Sequence, residues 1–278
     1  MHTYASLTAD LEKSGIKRSD TLLIHSSMKS IGEVEGRADT VLDVLMDYFK
    51  EDGLLLMPTL TWSNVNDKQP IYDVRNTPSV VGILPQLFRQ RPGVWRSLHP
   101  THSMAGYGRF ARTFLEGHER FDSPGNAFSP WGRLPMVKAK IMFLGCDAFH
   151  NTMLHAVEEW NEATVSLTDY HQPLVTIDYD GVHHDVPSRR HLGAHSGYYG
   201  FLIPHFKAIG AYSECRFGDA FCMILDAQKI TKFVLEILAK YPDAFVKEWM
   251  KPIQASSTAL CQINYGFQPL FSNMSILR

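Results

Sequence analysis

Short apolar runs alternate with segments of helical periodicity through the first 163 residues of the chain. The apolar runs predict buried strands at residues 21–27, 54–61 and 141–145, and a weaker strand at 104–108. Apolar side chains at the spacing of one helix face predict helices at residues 4–14, 38–50, 80–90 (interrupted by Pro85), 110–121 and 156–160. This alternation predicts an α/β fold with a mainly parallel, helix-covered sheet.

The pattern changes in the C-terminal half of the chain. Residues 173–186 form two strand-like arms around Asp180-Gly181, which is a strong hairpin signal. Residues 209–215 and 220–226 predict further strands, followed by an amphipathic helix that Asp226 is able to cap. We therefore expect an additional antiparallel or mixed portion in this half.

The domain organisation follows from the same pattern. No repeat, low-complexity tract or flexible linker separates the two halves. We expect one compact α/β domain over residues 1–278, with possible sub-lobes at 1–163 and 164–278.

Composition and charge bear on the binding partners and on the cellular compartment of the protein. A net charge of −2 without a basic tract argues against nucleic acid. No apolar run approaches the roughly 18–20 residues that cross a bilayer, and no signal peptide is evident, so we expect a cytoplasmic protein. The four cysteines have no CxxC spacing, which indicates reduced thiols.

The segment from His150 to Asn161 (HNTMLHAVEEWN) follows the predicted strand at 141–145 and carries the strongest chemical signal. Asn151 or Thr152 is predicted to cap its helix with a side-chain oxygen. His155 and Glu158 are three residues apart and share a helix face, as a general base and its supporting carboxylate would. The alternative is a solvated surface pair, which is the commoner origin of this spacing.

Three further segments carry polar side chains near predicted strand ends. Residues 24–32 (IHSSMKSIG) form a loop of small hydroxyls able to cradle phosphates, or an ordinary turn with serine caps. Residues 95–108 contain Arg96, which suits a phosphate, in a segment that could equally be a loop pinned by its own hydrogen bonds. Thr59 lies where ligands bind in open sheets, although threonines that only cap loops are commoner.

Other catalytic classes lose support. His191 and His195 form HxxxH, but no glutamate follows His191 as HExxH requires, and nearby glycines disfavour a helix, so we expect no metal. No GxSxG elbow is present for a serine hydrolase. Cys146 reads as a small core residue rather than a nucleophile.

Taken in order, five segments resemble the antibiotic (aminoglycoside 3-N-) acetyltransferase family: LIHSSMKSIG, LLLMPTLT, RSLHPTHSMAGYG, SPWGRL and FLGCDAFHNTMLHAVE. The resemblance spans residues of about 5–240. It implies transfer of an acetyl group from acetyl-CoA, a co-substrate, to an amine of a small polar acceptor such as an aminoglycoside.

The resemblance also implies roles for individual residues. His155 matches the family's histidine, Glu158 its glutamate and Thr59 the threonine beside the acetyl end, a candidate oxyanion donor. The CoA-binding residues it implies are His25, Ser26, Ser27, Ser30, Gly32, Arg96, Ser97, His99 and Ser103. We expect His155 to act as general base, held by Glu158, with direct transfer in a ternary complex.

The chain departs from the family pattern in several places. Phe149 and His150 replace smaller or more polar residues, and residues 183–199 and the tail after Gln254 match no known segment. Two alternatives remain open: a CoA-thioester hydrolase, and a CoA-binding protein without turnover of antibiotics. We expect a small-molecule amine as partner, and neither nucleic acid nor a membrane. A homodimer is one oligomeric state that the sequence leaves open.

Overall fold

A seven-stranded sheet with the order β4-β5-β2-β1-β6-β10-β9 forms the centre of the molecule, and β3, β7 and β8 form a smaller second sheet. The computed structural model describes residues 1–162, 164–192 and 195–245. The tail after Gln254 lies outside the described residues. The strands are β1 (Thr21–Ser26), β2 (Leu54–Pro58), β3 (Ile71–Asp73), β4 (Trp95–Arg96), β5 (Met104–Gly108), β6 (Lys140–Leu144), β7 (Val175–Ile177), β8 (His183–Asp185), β9 (Tyr212–Phe217) and β10 (Ala220–Asp226).

The pairings confirm an α/β fold with an antiparallel C-terminal portion. Strand β1 is parallel to β2 and β6, whereas β10 is antiparallel to β6 and β9. Strands β4 and β5, in the N-terminal half, are also antiparallel to their neighbours, which the alternation did not predict. Only residues 97–103 connect these two strands, without the helical crossover that parallel strands need. Strand β10, from the second half of the chain, thus joins the sheet of the first half, and the single-domain organisation stays a prediction.

Helices cover both faces of the large sheet. Their bounds are α1 (Tyr4–Lys13), α2 (Arg37–Phe49), α3 (Ile83–Phe88), α4 (Ala111–Leu115), α5 (Pro130–Met136), α6 (Thr152–Glu159), α7 (Ile203–Ala208) and α8 (Ala227–Lys240). Helices α1–α3 share one hydrophobic cluster with Leu22 and Ile24, and α4–α8 share another with Leu23, because successive strand side chains point to opposite faces. Within the described ranges, no helix is both long and apolar enough to cross a membrane.

Local signals explain most element bounds. Asp226 accepts a hydrogen bond from the backbone N–H of Lys229 and caps α8, and the hairpin around Asp180-Gly181 joins β7 to β8, as predicted. The predicted helix at 110–121 is wrong after Leu115, because the chain turns at Gly117 with φ +79. Pro85 does not interrupt a helix: α3 begins at Ile83, so Pro85 lies in the first turn, which requires no amide donor.

One edge of the large sheet collects the segments with chemical signals. The carboxyl ends of β2, β1 and β6 meet there because the three strands are parallel neighbours. Met104 pairs with Pro58, so the residues before β5 reach the same edge. This is the position where open α/β sheets bind ligands.

Candidate active site

A histidine, a tyrosine and a glutamate form a hydrogen-bonded chain at this edge. The Tyr199 hydroxyl donates a short hydrogen bond to Oε2 of Glu158, so the tyrosine oxygen accepts from Nδ1 of His155 at 2.8 Å. Nδ1 of His155 also lies 3.5 Å from Glu158 Oε2. With the proton held on Nδ1, Nε2 keeps its lone pair.

The Glu158 carboxylate is the buried charge that organises this chain. Its side chain is 1% exposed, and its other oxygen, Oε1, accepts from Nδ1 of His195 at 2.7 Å. Burial alone would raise its pKa, but hydrogen bonds from His155, His195 and Tyr199 hold the pKa at about 2. The same pairing raises the pKa of His195. Glu158 is therefore a stable anion against the two imidazoles.

His155 has the properties of a base at neutral pH. Burial lowers the pKa of His155, and the hydrogen bond to Glu158 only partly opposes this effect. Its side chain is 18% exposed. Across the described ranges, Nε2 has no hydrogen-bond partner, whereas Nδ1 is engaged. The available lone pair of a neutral imidazole is what proton abstraction requires.

A second imidazole–carboxylate pair lies against the first. The ring of His191 stacks on that of His155, with centroids 4.7 Å apart. Nε2 of His191 binds Oε1 of Glu159 at 2.6 Å, and the backbone N–H of Gly125 donates to the same oxygen at 2.8 Å. His191 and His195, the two ends of HxxxH, thus bind two different glutamates. No group of three or more metal-ligating side chains occurs in the described residues.

Sequence reasoning missed three members of this site: Tyr199, His191 and His195. All three belong to residues 183–199, which matched no known segment. The only available signal was the spacing: His191 and His195 are the two ends of HxxxH, and Tyr199 follows four residues later. The fold brings Tyr199 and His191 of this region against His155.

The hydroxyl-rich loop after β1 is tied to the end of β6. Ser30 Oγ donates to the carbonyl of Gly145 at 2.8 Å and lies 3.0 Å from Ser27 Oγ. Gly32 has φ +85, and a Cβ there would lie 2.0 Å from a carboxylate oxygen of Asp219. Ser26, Ser27 and Ser30 stay half-buried rather than fully enclosed. The loop thus forms a fixed polar turn at the carboxyl end of β6.

His25, the first residue of the predicted CoA set, is buried and neutral. Its ring stacks on Phe143 with centroids 5.1 Å apart. Burial lowers the pKa of His25 to about 3. Nε2 finds no hydrogen-bond partner in the described part of the chain. His25 therefore offers a phosphate no positive charge, although it can form a neutral hydrogen bond.

Arg96 is enclosed, and its side chain is used within the protein. Nε donates to the hydroxyls of Thr59 and Ser103, both at 3.1 Å. The two terminal nitrogens donate to the carbonyls of Val74, Thr77 and Thr59. With the residue only 3% exposed, the geometry gives Arg96 a structural role and speaks against the predicted phosphate contact.

The other predicted residues of this segment are also enclosed. Ser97 Oγ accepts from the backbone N–H of Met104 and lies 2.9 Å from Nδ1 of His118. Nδ1 of His99 accepts backbone N–H groups, and burial keeps the pKa of His99 well below its usual value. Ser103 Oγ donates to the carbonyl of Thr59 at 2.7 Å. This segment is the pinned loop, so the geometry does not support direct CoA contacts.

Thr59 lies at the expected strand end, but its hydroxyl is engaged. The side chain is fully buried, and Oγ1 lies 3.1 Å from both Ser103 Oγ and Arg96 Nε. Since Ser103 donates its proton to the Thr59 carbonyl, the Thr59 proton is left for Ser103 Oγ. The predicted donation from Thr59 to an oxyanion has no free proton to use.

Comparison with known proteins gives the family. A model of the family described as aminoglycoside 3-N-acetyltransferase matches residues 23–239. The chain belongs to this family. It is therefore an acyltransferase, as the order of its five sequence segments predicted.

Curated relatives support the assignment over most of the chain. An aminoglycoside N(3)-acetyltransferase III from Salmonella sp is 29% identical over 87% of this chain and 93% of its own length. An aminoglycoside N(3)-acetyltransferase VII from Streptomyces paromomycinus is 31% identical over 75% of this chain and 79% of its own. YokD of Bacillus subtilis, named an aminoglycoside N(3')-acetyltransferase-like protein, is 31% identical over 56% of this chain and 64% of its own.

Solved structures of the family share the fold. The apoenzyme of AAC(3)-IVa superposes with a TM-score of 0.75 at 23% identity, over 88% of this chain and 91% of that protein. AAC-IIIb in a binary complex with CoASH gives a TM-score of 0.74 at 22% identity, over 86% of this chain and 97% of that protein. The chain thus shares its fold with these solved structures.

Substituting Arg96 tests its structural role in this acyltransferase. Arg96→Met should lower the free energy of unfolding by about 3 kcal/mol, because buried hydroxyls and carbonyls lose their donors. Urea unfolding measures the loss. Arg120→Met, at a side chain that is 77% exposed, is the matched control and should change stability by less than about 0.5 kcal/mol. If the Arg96→Met protein were stable and had a strongly raised KM for acetyl-CoA, the result would support the predicted phosphate contact instead.

Proposed function

We propose that this acyltransferase moves the acetyl group of acetyl-CoA to an amino group of an aminoglycoside or a similar small polar amine. The observation that carries the proposal is the chain of His155, Tyr199 and Glu158, which leaves Nε2 of a neutral imidazole as an available base. Family membership and the names of the relatives supply the acetyl donor and the class of acceptor.

The proposed reaction begins with deprotonation of the acceptor. An ammonium nitrogen has no lone pair, so Nε2 of His155 takes its proton, directly or through water. The nitrogen lone pair then attacks the thioester carbon, and the carbonyl electrons move to its oxygen. Collapse re-forms the carbonyl, breaks the carbon–sulfur bond and leaves the electron pair on CoA sulfur, which takes up the second proton that the nitrogen loses. The amide forms directly, without an acyl-enzyme.

Tyr199 and Glu158 support the charge that His155 acquires. When Nε2 takes the proton, the imidazolium donates from Nδ1 to a tyrosine oxygen whose own proton is held by Glu158. Burial raises the pKa of Tyr199 well above its usual value, so the hydroxyl stays protonated. The tyrosine thus transmits the carboxylate's charge, as a third group orients the base in other enzymes.

The acetyl-CoA site is proposed at the end of β1. Ser26 Oγ is buried without a hydrogen-bond partner among the described residues, and Ser27 and Ser30 stand beside it in the tied loop. These hydroxyls fit the polar amide groups of a pantetheine chain. No arginine of the β4–β5 segment joins them, so the phosphates of CoA would lie elsewhere.

The proposed acceptor site is anionic. Besides Glu158, it contains Glu159, whose side chain is 3% exposed and whose Oε2 has no partner in the described part of the chain. A buried carboxylate oxygen of this kind suits an N–H of a polycationic acceptor. Relatives support the class: AAC-VIa has been solved bound to sisomicin, and a mutant of AAC(3)-IVa in complex with apramycin.

The test is CoA release from acetyl-CoA, followed by thiol titration, with and without a panel of aminoglycosides and simpler amines. We expect release only when an acceptor is present. Release at the same rate without any amine would assign the protein as a thioesterase. Tight CoA binding with no release for any amine would make it a binding protein without turnover.

A further inference from the structure

Asn151 occupies the cap position of α6 without capping it. The sequence predicted that Asn151 or Thr152 would accept a backbone N–H there, but the Asn151 side chain makes no cap hydrogen bond. The residue is 1% exposed. Both Nδ2 and Oδ1 are buried and find no hydrogen-bond partner in the described ranges. A buried amide without partners destabilises a fold, so its retention points to a ligand.

The surroundings of Asn151 are those of the proposed reaction. It stands at the N-cap of α6, four residues before His155. Ser26, at the end of β1, pairs with Leu144 at the end of β6, and the chain runs on from this edge to Asn151. At the same edge, Ser26 Oγ and His25 Nε2 are also buried without partners in the described part of the chain.

The attack on a thioester needs a hydrogen-bond donor at the carbonyl oxygen, a role given to no residue so far. The carbonyl oxygen gains a negative charge in the transition state, and a fixed N–H aimed at it is a large source of rate. Thr59 has no proton free for this purpose, because its hydroxyl is engaged by Ser103. The amide N–H of Asn151 is free, and it lies at the positive N-terminal end of α6.

We propose that Nδ2 of Asn151 donates a hydrogen bond to the thioester carbonyl oxygen of acetyl-CoA and stabilises the oxyanion formed on attack. The inference rests on the proposed acetyl transfer. After His155 has taken the first proton, the acceptor nitrogen bonds to the thioester carbon, and the carbonyl electron pair comes to rest on the oxygen that Asn151 holds. When the pair returns, the carbon–sulfur bond breaks and CoA sulfur takes up the second proton that the nitrogen loses.

Two variants test this role. Asn151→Leu keeps the approximate shape and removes both polar atoms, and Asn151→Asp keeps the shape and removes the donor. Each should reduce kcat by about 10²–10³-fold, as loss of one oxyanion donor does elsewhere, with little change in the KM for acetyl-CoA. The acid limb of the pH–rate profile should stay in place, since His155 sets it.

Stability separates a catalytic role from a structural one. Asn151→Leu should raise the melting temperature, because two unpartnered polar atoms leave the interior. The matched control is Asn161→Leu, which should lower it, since Asn161 Nδ2 donates to Thr164 Oγ1 at 2.7 Å and to the Leu238 carbonyl. Asn151→Asp places a carboxylate in the same enclosed position and should lower the melting temperature, so the test of stability rests on Asn151→Leu.

Two results would overturn the role of Asn151. One is an Asn151→Asp or Asn151→Leu enzyme that retains a kcat within about threefold of the wild type, against the loss expected for an oxyanion donor. The other is a fall in melting temperature on Asn151→Leu comparable to that of Asn161→Leu. Failure of the proposed function itself reads differently: the wild-type protein would release no CoA in response to any amine.

Discussion

Replacing His155 with glutamine is expected to slow acceptor-dependent CoA release by about 10²–10⁴-fold, the usual contribution of a general base. Glutamine keeps a polar side chain on α6 but cannot take up the ammonium proton. The loss should appear in kcat, since the carboxylates that attract the acceptor remain. Steady-state kinetics with a fixed aminoglycoside measures it.

The control is His171→Gln. His171 is an exposed histidine whose Nε2 lies 2.7 Å from Asp122, and its substitution should leave kcat unchanged. In the wild type, the acid limb of the pH–rate profile should fall below 6.5, because burial lowers the pKa of His155 from that value. Near-normal turnover by His155→Gln would remove His155 from the mechanism.

Acid should unfold this protein steeply. Burial lowers the pKa of His25 and of His118 to about 3, from 6.5 when exposed. Below pH 6.5 these histidines therefore bind protons in the unfolded chain but not in the folded one. Their contribution to the free energy of unfolding is complete above pH 6.5 and decreases as the pH falls towards 3. Each histidine contributes about 1.4 kcal/mol per pH unit, so the pair should cost about 4 kcal/mol between pH 6.5 and 5.

Urea unfolding at pH 7.5 and 5.0 measures this loss. Burial also lowers the pKa values of His99 and His102, so both should increase the loss of unfolding free energy at low pH. The raised pKa of His195 acts in the opposite direction and should reduce the loss. In His118→Asn the pH dependence should weaken by about 1.4 kcal/mol per pH unit, since one titrating group is gone. Equal stability at the two pH values would contradict the account of these neutral, buried rings.

Much of the fold could be predicted from the sequence because its signals are local. The apolar runs at β1, β2 and β6, the Asp180-Gly181 turn and the Asp226 cap each act within a few residues. The antiparallel pairing of β5 with β2 could not be predicted, because it depends on a long segment between the two strands rather than on any local period. Strand β4, which pairs with β5, is only two residues long, so no period marks it.

The site was predicted in part for the same reason. His155 and Glu158 lie three apart on one helix, so their pairing is visible in the sequence. Tyr199 and His195 reach Glu158 from a segment about 40 residues away, through contacts that only the tertiary fold creates. For Arg96 the sequence suggested too much. An arginine in a polar loop suggests a phosphate contact, but the fold buries this side chain, and its N–H groups donate to carbonyls and hydroxyls of the protein.

The most direct test of the central claim is to follow an isotopically labelled acetyl group from acetyl-CoA in the presence of an aminoglycoside, and to locate it by NMR. The account predicts that the label appears in an amide on one amino nitrogen of the acceptor. Its appearance as free acetate, at a rate independent of the acceptor, would contradict the account and assign the His155 base to thioester hydrolysis.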